Sequence, residues 1–361
     1  MRLLLVSPDL RLMGGVAETV KTLLGQLEGR VDVTQVMFGA RVGQTSLIMR
    51  VCRTILDLFY FARMLVSGRF DIVHLNPSLV FVSVLKETVL FILCWLLGYS
   101  GRTFIFIHGW DQDFFKRIAS GWISAKVMRA VLNRAGLVLV LAEEFRDELI
   151  RLGVDESKVE VVSTMVDMDS VPFSSGCARG EKSMLFISRM IVGKGVYEII
   201  DAFSLLSKRY AGLKLVMAGD GPERGRLMEL AASRDLRNIS FPGHIQGQDK
   251  YRALEESCIF LLPTYSEGRP VSLLEAMASG LVPLVTDVGG IKDVTEPDET
   301  AVLLPEASAE AIVDGVSRVL DDSALRIRVA GNAQKYARAN FCSRQVAERI
   351  IGLYSRIIRE S

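Results

Sequence analysis

Grouped histidines, paired cysteines, repeats and low-complexity tracts are all missing from this chain of 361 residues. Its three histidines stand far apart, and its five cysteines include no Cys-x-x-Cys pair. Structural metal clusters and disulfide frameworks need these residues in groups, so we expect neither, and scattered free thiols indicate a reducing compartment. With 50% hydrophobic and 24% charged residues, the composition is also not that of a disordered or fibrous protein.

Long uninterrupted apolar runs are missing as well. The first run, residues 3–6, stops at Ser7-Pro8-Asp9 and is too short for the core of a signal peptide. Residues 79–97 approach the length of a membrane span, but Lys86 and Glu87 lie at the centre. Each of these charges would cost roughly 2.5–3.5 kcal/mol in lipid. We therefore expect a cytoplasmic protein, with the inner face of the membrane as a candidate surface for peripheral contact.

The net charge of +1 gives no reason to expect nucleic-acid binding. It is an average over two unlike parts, however. Residues 1–135 hold 16 basic and 9 acidic residues, a net charge of +7, whereas the remaining residues hold 27 basic and 33 acidic ones, a net charge of −6. The basic part contains the apolar stretches 47–66 and 79–97, which suit an anionic membrane surface or, alternatively, simply pack in their domain.

Short apolar runs alternate with helical patterns along the whole chain, which predicts parallel βαβ units. The predicted strands are 3–6, 33–38, 72–75, 103–107, 137–141, 159–162, 184–187, 214–217, 258–262 and 282–285. The length suits two domains, and the polar, proline-bearing stretch that follows residue 162 is the best candidate linker. We predict a first domain over 1–165, a second over 166–340 and a C-terminal helix over 341–361.

Ligands of such sheets bind beyond the carboxyl ends of the strands, so residues at those ends are candidates. Gly14 and Gly15 follow the first strand and open a helix, where backbone N–H groups suit an anion, although a plain turn is the alternative. His108 follows the strand at 103–107. His74 lies inside a predicted strand and is interpreted as a packed core histidine.

Two cations and two carboxylates follow strands of the second half. Arg189 and Lys194 lie in a glycine-containing loop that suits a pyrophosphate, and a solvated basic loop is the alternative. Glu267 precedes a helix of about nine residues, with Pro270 in its first turn and Gly280 at its end. Glu275 lies inside this helix among small and apolar residues, where a carboxylate needs a hydrogen-bonding partner.

The segment Glu267-Gly-Arg-Pro-Val-Ser-Leu-Leu-Glu275-Ala-Met-Ala-Ser-Gly resembles the signature of family-4 retaining glycosyltransferases. The resemblance extends to Gly14-Gly15-Val16, to His108-Gly109, to Arg189 with Lys194-Gly195, and to residues 218–222 and 241–243. It implies an α/β GT-B fold with two Rossmann-like, doubly wound domains that face a central cleft. The first domain would bind the acceptor and the second the nucleotide-sugar donor, with the last helix crossing back to the first.

The resemblance also implies residue roles. The catalytic set would be His108 on the donor sugar, Arg189 and Lys194 on the diphosphate, and Glu267 on the sugar hydroxyls. The donor-binding residues would be Gly14, Gly15, Gly219, His244, Ile245, Leu274 and Glu275. No metal and no cofactor are implied beyond a UDP- or GDP-sugar as co-substrate. Arg269 departs from the family pattern, which often has an apolar residue here. Contact with the acceptor is one interpretation, and a solvated side chain is the one that we favour.

The activity that the resemblance implies is a retaining, metal-independent hexosyl transfer in the synthesis of a cell-surface polysaccharide, such as exopolysaccharide, capsule or lipopolysaccharide. The partners would be a nucleotide-sugar donor and a glycan or lipid-linked glycan acceptor, with an anionic membrane surface as a candidate and no nucleic acid. Two alternatives stay open. One is a GT-B-like sugar-nucleotide epimerase or phosphorylase, and the other is an inactive nucleotide-sugar-binding protein.

Overall fold

The computed structural model of the chain describes residues 1–11, 14–39, 41, 47–174, 177 and 180–360. They divide into two compact units. The first comprises Met1–Met165 together with the last helix, which begins at Ser343, and the second comprises Val166–Cys342. Each unit has its own sheet and its own hydrophobic core, as an α/β domain requires.

The described strands are short, between two and six residues each. They are β1 (Arg2–Ser7), β2 (Asp32–Met37), β3 (Ile72–Leu75), β4 (Ser78–Leu79), β5 (Thr103–Phe106), β6 (Gly109–Trp110), β7 (Leu137–Val140), β8 (Val159–Val161), β9 (Ser183–Ile187), β10 (Lys214–Ala218), β11 (Ile239–Gly243), β12 (Ile259–Leu262), β13 (Val282–Thr286) and β14 (Val302–Leu304).

The described α-helices follow the strands in alternation. They are α1 (Gly15–Leu27), α2 (Leu47–Ser67), α3 (Phe81–Leu96), α4 (Gln112–Ser120), α5 (Trp122–Arg134), α6 (Glu143–Arg151), α7 (Val196–Arg209), α8 (Arg224–Ser233), α9 (Gly247–Glu255), α10 (Val271–Ser279), α11 (Ala309–Asp321), α12 (Ser323–Asn340) and α13 (Ser343–Glu360). None of them is long and apolar enough to cross a membrane.

The first unit is a parallel sheet in the order β2-β1-β3-β5-β7-β8, and the short strands β4 and β6 pair with each other. Both faces of the sheet are covered, because side chains alternate along each strand. In β1, Leu4 and Val6 join a core formed with α2 to α6, whereas Leu3 and Leu5 join a core formed with α1 and α13.

The last helix is held in the first unit by a buried polar contact as well as by its apolar side chains. Tyr354 of α13 is fully buried, and its hydroxyl lies 2.6 Å from Nδ1 of His74 on β3. The ring of Tyr354 also packs edge-on against Phe104 at a centroid distance of 4.8 Å. The interpretation of His74 as a packed core histidine is confirmed.

The second unit is a parallel sheet in the order β11-β10-β9-β12-β13-β14, with one continuous core. The four strands predicted from sequence are present to within one residue at each end. Two edge strands, β11 and β14, are missed by the sequence pattern. β11 contains a proline and none of its five residues is fully buried, and β14 has three residues. Strands this short carry little periodicity to detect.

The helix that follows Glu267 has the predicted length. α10 comprises nine residues, with Pro270 as its N-cap and Gly280, at φ 84°, as its C-cap. All residues of α10 from Leu273 to Ser279 are buried. The helix is therefore fixed in the core of the second unit, with its N-terminus at the carboxyl edge of the sheet.

Candidate functional site

The carboxyl edge of the second sheet collects most of the predicted site residues. The chain winds outward from β9 to β10 and β11 on one side and from β12 to β13 and β14 on the other. The loops after β9 and β12 therefore leave the sheet in opposite directions. The gap between them is the switch point at which doubly wound sheets bind ligands. Lys194 stands in the first of these loops and Glu267 in the second.

Lys194 is buried, with 8% of its surface exposed, and its ammonium group is held by the loop after β12. Nζ donates to Thr264 Oγ1 at 3.4 Å, to the Ser266 carbonyl at 3.2 Å and to Oε1 of Glu267. These three acceptors match the three donors of an ammonium group. The cation is thus positioned before any ligand arrives, which is the condition for effective electrostatic stabilisation.

Arg189 is the second cation of the β9 loop and differs from Lys194 in its surroundings. Its side chain is exposed, and among the described residues it forms no ion pair. Its backbone is fixed, because the carbonyl of Arg189 accepts from the Ile191 N–H and the Met190 N–H donates to the Asp220 carbonyl. Arg189 therefore offers an exposed guanidinium on a loop that backbone hydrogen bonds hold in place.

Gly219 locks this loop against the end of β10. Its φ is 134°, and a Cβ at this position would lie 1.9 Å from the Ser188 carbonyl oxygen. Its N–H donates to the Gly243 carbonyl at 2.7 Å. Only glycine permits this close approach of two backbones. Gly219 thus controls where the loop with Arg189 lies.

The start of α10 provides hydrogen-bond donors next to Glu267. No side-chain hydrogen bond from the described residues caps this helix, so its first N–H groups point out of the edge of the sheet. The Glu267 carboxylate is half-buried on Lys194, and its carbonyl accepts from the Gly290 N–H at 3.4 Å. Uncapped N–H groups together with the helix dipole favour an anion.

The expectation that Arg269 is solvated is wrong. Its side chain is 7% exposed and forms a 2.8 Å ion pair with Asp293. Asp293 follows Gly289 and Gly290, so the pair connects the loop before α10 to the loop after β13. The burial of Arg269 is tolerated because the carboxylate of Asp293, 24 residues further along the sequence, offsets the desolvation of the guanidinium.

Glu275 has the partner that its apolar neighbours predicted, but the partner is another side chain. Nζ of Lys250, on α9, donates to Oε1 of Glu275 at 2.6 Å, and both groups are largely buried. Leu274, beside it, is fully buried in the core. The whole residue, backbone included, has no exposed surface, so a role of Leu274 in donor binding stays a prediction.

His244 and Ile245 follow β11 at the same edge. His244 is exposed, Ile245 is half-buried, and the His244 ring lies against the side chain of Gln246. The two residues lead directly into α9, which carries Lys250. His244 and Ile245 therefore lie at the part of the carboxyl edge that also carries the ion pair of Lys250 and Glu275.

The first unit carries Gly14, Gly15 and His108 at the carboxyl edge of its own sheet. Gly14 is the N-cap of α1, and a Cβ on either glycine would meet no atom within 4 Å. His108 is 9% exposed, and its ring packs on Phe106 at a centroid distance of 4.0 Å. The carboxyl edge of the first sheet thus carries open backbone N–H groups after β1 and a buried imidazole after β5.

Asn76 fixes the protonation of His108. Its Nδ2 donates to the Val6 carbonyl at 2.8 Å, so its Oδ1 must face the His108 Nε2, 2.8 Å away, as an acceptor. His108 is therefore the Nε2–H tautomer, and Nδ1 is its acceptor nitrogen. Burial lowers the pKa of His108 to about 3, so the ring is neutral at pH 7.

Stability should fall in mild acid because of two buried imidazoles. Burial lowers the pKa of both His74 and His108 to about 3, below the ordinary value of 6.5. Below pH 6.5 the unfolded chain binds protons that the folded chain does not. Each ring therefore costs about 1.4 kcal/mol of unfolding free energy per pH unit as the pH falls toward 3. Urea unfolding at pH 7, 6 and 5 measures this loss.

The variant His108→Gln isolates one of the two rings in this experiment. Glutamine can still donate to Asn76 but does not titrate. Unfolding of the variant should therefore take up about one proton less than unfolding of the unchanged chain, and its unfolding free energy should fall less steeply as the pH falls. Identical pH dependences for the two proteins would show that His108 is not the buried neutral ring described above.

Asn76, Lys250 and Asp293 are site residues that sequence reasoning missed. Asn76 directly follows β3, so its position at the carboxyl end of a strand could have identified it as a candidate site residue. Lys250 and Asp293 carry no local signal, because their roles depend on partners 25 and 24 residues away. Within the described ranges, no group of three His, Cys, Asp or Glu side chains is arranged to hold a metal ion.

Comparison with known families matches two consecutive parts of the chain. The model for "Glycosyltransferase Family 4" matches residues 13–170, and the model for "Glycosyl transferases group 1" matches residues 167–336. The boundary between the matches falls at the boundary between the two units. The two matches together cover residues 13–336, which include the whole second sheet, the first sheet apart from β1, and every site residue named above.

Relatives and solved structures agree with the family models. Alpha-D-kanosaminyltransferase of Streptomyces kanamyceticus is 26% identical over 243 residues, which are 63% of this chain and 62% of that protein. The match thus spans about three fifths of this relative's length. The fold is shared with sucrose-phosphate synthase from Thermosynechococcus elongatus (TM-score 0.81, 17% identity, 100% of both chains). It is also shared with Anabaena HepE in complex with UDP-glucose (TM-score 0.73, 16% identity, 99% of this chain and 100% of that one).

Proposed function

This chain belongs to glycosyltransferase family 4, and from that membership we propose that it transfers a sugar from a nucleotide-activated donor to a glycan or lipid-linked glycan. The donor is a UDP- or GDP-sugar, the anomeric configuration is retained, and no metal ion takes part. The setting is the synthesis of a cell-surface polysaccharide at the inner face of a membrane. The likeness to a kanosaminyltransferase and to HepE with UDP-glucose supports a nucleotide-sugar donor.

One observation carries the proposal: Lys194 and Glu267 form an ion pair at the switch point of the second sheet. A cation and a carboxylate held together are what a sugar nucleotide requires. The ammonium group attracts the diphosphate through its charge, because its three N–H donors are held by protein acceptors, and the carboxylate accepts hydrogen bonds from sugar hydroxyls. The uncapped N-terminus of α10 adds a second source of positive potential.

The second unit acts on the leaving group. As the glycosidic bond to the diphosphate breaks, negative charge grows on the phosphate oxygens and an oxocarbenium-like sugar is left. Lys194, Arg189 and the N–H groups of α10 stabilise this charge more strongly in the transition state than in the ground state, which lowers the barrier. The exposed Arg189 binds the diphosphate from solvent, whereas Lys194 is already held in place.

The nucleoside is held further along the same edge. Glu275 accepts hydrogen bonds from the two ribose hydroxyls, and Lys250 keeps the carboxylate ionised and oriented. The backbone at His244 and Ile245 contacts the base. In this assignment the nucleoside lies at the carboxyl end of β11 and the sugar at the carboxyl end of β12. The diphosphate lies between them, over Gly219.

The first unit acts on the sugar. The neutral His108 presents Nδ1 as an acceptor to a sugar hydroxyl, because Nε2–H is engaged by Asn76. A Cβ at Gly14 or Gly15 would meet no atom within 4 Å, and the role proposed for the N–H groups of these glycines is to bind the donor. The acceptor hydroxyl attacks from the face that the diphosphate leaves, and its proton passes to a phosphate oxygen of the donor.

A thermal-shift panel with UDP, GDP, ADP and their sugars tests the donor site. The preferred nucleotide should raise Tm by mass action, and the unchanged chain should keep this response in EDTA. In Glu275→Gln the Kd of that nucleotide should rise roughly ten- to a hundredfold, because hydrogen bonds to a charged group are lost. Glu229→Gln, an exposed residue on α8, is the matched control and should bind normally.

Three outcomes would count against the proposal. If no nucleotide raises Tm, the donor site is misassigned. If Glu275→Gln binds as tightly as the unchanged chain, the ribose contact is wrong. If a nucleotide binds but no acceptor ever induces its release, the chain is an inactive binding protein. Donor turnover without any acceptor, giving an epimer, would favour an epimerase.

A further inference from the structure

Three helices on one face of the first unit expose an unusual number of large apolar side chains. Leu56 and Phe59 of α2 are 65% and 71% exposed, Leu85 and Trp95 of α3 are 60% and 51% exposed, and Trp122 and Ile123 of α5 are 78% and 67% exposed. We refer to these six residues as the apolar surface. A group of exposed apolar side chains on one face of a domain marks an interaction site on a protein that otherwise buries such residues.

The apolar surface belongs to one side of the sheet. The opposite faces of α2, α3 and α5 bury Phe61, Phe91 and Leu132 in the same core, so their outward faces point the same way. Two contacts connect the helices. The Arg134 guanidinium of α5 lies 5.8 Å from the Trp95 ring of α3, and the Tyr99 hydroxyl after α3 donates to the Leu65 carbonyl of α2.

The exposed charges on these helices are all positive among the side chains that the structure describes. Arg53, Arg63, Lys126 and Arg129 are exposed. The two carboxyl groups on α2 and α3 offset them little. Asp57 is buried in an ion pair with Arg41, and Glu87 is half-buried, where burial raises its pKa to about 8 and favours its neutral form. The three helices that carry the apolar surface therefore expose basic side chains and no described carboxylate.

The second unit shows what an ordinary helical surface looks like in this chain. Among its described helices, the large apolar side chains that are exposed are Leu205 on α7, Met228 on α8 and Ile327 on α12, each on a different helix. Isolated residues of this kind need no explanation. The clustering in the first unit is thus a property of that unit and not of the chain as a whole.

We propose that the apolar surface docks the chain on an anionic lipid bilayer. The apolar side chains enter the boundary between headgroups and acyl chains, and the arginines and lysines meet the lipid phosphates. Two exposed tryptophans suit this depth, because the indole ring prefers the interface. The helices lie on the bilayer, since none of those described is long and apolar enough to cross it.

A second copy of this chain fits the same surface less well. A symmetric dimer through the apolar surface would bring its basic residues against their own copies, with no described exposed carboxylate on the three helices to pair with them. An anionic bilayer supplies both the apolar phase and the opposite charge. The inference extends the proposed function, on which its biological setting rests, but vesicle binding does not depend on sugar transfer.

Co-sedimentation of the full chain with vesicles tests the proposal. Vesicles of phosphatidylcholine with 30 mol% phosphatidylglycerol (roughly the anionic fraction that gives a strong surface potential) are compared with pure phosphatidylcholine. We expect binding to the anionic vesicles at low salt, and weakening in high salt. Arg53→Gln and Arg63→Gln should each lower the partition coefficient about fivefold.

Apolar variants distinguish docking from simple charge attraction. Phe59→Ser with Trp122→Ser should weaken vesicle binding at least tenfold, because two side chains no longer enter the bilayer. Leu205→Ser with Ile327→Ser removes two apolar residues of the second unit that are 53% and 58% exposed, and it should leave binding unchanged. Every variant should keep the nucleotide-induced rise in Tm, which separates a failure of docking from a failure of the donor site.

Three results would overturn the proposal. The first is that the chain sediments with neither kind of vesicle. The second is that both double variants bind as the unchanged chain does. The third is that light scattering shows a dimer which Phe59→Ser with Trp122→Ser dissociates, while vesicle binding is absent. In that case the apolar surface is a contact between copies.

Discussion

Lys194→Ala should lower the turnover number by roughly 10²–10³-fold, the loss seen when one preorganised donor to a developing negative charge is removed. The ammonium group is fixed by Thr264, Ser266 and Glu267 before the donor binds, so its contribution requires no rearrangement during the reaction. The loss should appear in kcat as well as kcat/KM, because the charge that Lys194 stabilises grows only in the transition state. Steady-state kinetics with a saturating acceptor measures it.

The same substitution also leaves the half-buried Glu267 without its cation, which costs stability by itself. The double variant Lys194→Ala with Glu267→Gln removes this unpaired charge and should regain Tm without regaining turnover. Lys208→Ala, on the exposed side of α7, is the control and should have normal kinetics. Near-normal turnover in Lys194→Ala would remove Lys194 from the mechanism, whatever happens to Tm.

Gly219→Ala should have the largest effect on the folded state. Its Cβ would lie 1.9 Å from the Ser188 carbonyl oxygen, a distance that real structures do not contain. Because both partners are backbone, the loop after β9 must move, and with it Arg189 and the start of the Lys194 turn. We expect a loss of about 3 kcal/mol or more in unfolding free energy together with loss of nucleotide binding.

Gly212→Ala separates the steric clash from backbone strain. Gly212 also has a positive φ, 79°, but a Cβ there would meet no atom within 4 Å. Its alanine variant should lose only about 1 kcal/mol, the cost of a left-handed conformation for a residue with a side chain. Denaturant unfolding of both variants gives the comparison. Equal losses would mean that the contact between Gly219 and Ser188 does not constrain the loop.

The architecture could be predicted from local features of the sequence. The strands β1, β3 and β9 are short apolar runs between turn residues, and burial on both faces of a parallel sheet makes such runs nearly continuous. The limits of α10 followed from Pro270 and Gly280, whose backbone preferences are intrinsic. These features are encoded within a few residues of the elements that they define.

The partners within the site could not be predicted, because they depend on contacts between distant segments. The charge of Arg269 is visible in the sequence, but the carboxylate that permits its burial belongs to a loop after another strand. The tautomer of His108 depends on Asn76, whose own amide is oriented by the Val6 carbonyl of β1. Each of these facts requires the order of the strands, which no local pattern contains.

The proton NMR spectrum of the first product formed from the preferred sugar nucleotide, in the presence of EDTA, tests the central claim most directly. The donor is the one that stabilises the chain most in the thermal-shift panel, and water or a glycan hydroxyl serves as acceptor. The anomeric coupling constant should show the same configuration in product and donor, with turnover unaffected by EDTA. The opposite anomer, or turnover that stops in EDTA and returns with a divalent cation, would contradict a retaining transfer driven by Lys194, Arg189 and the start of α10.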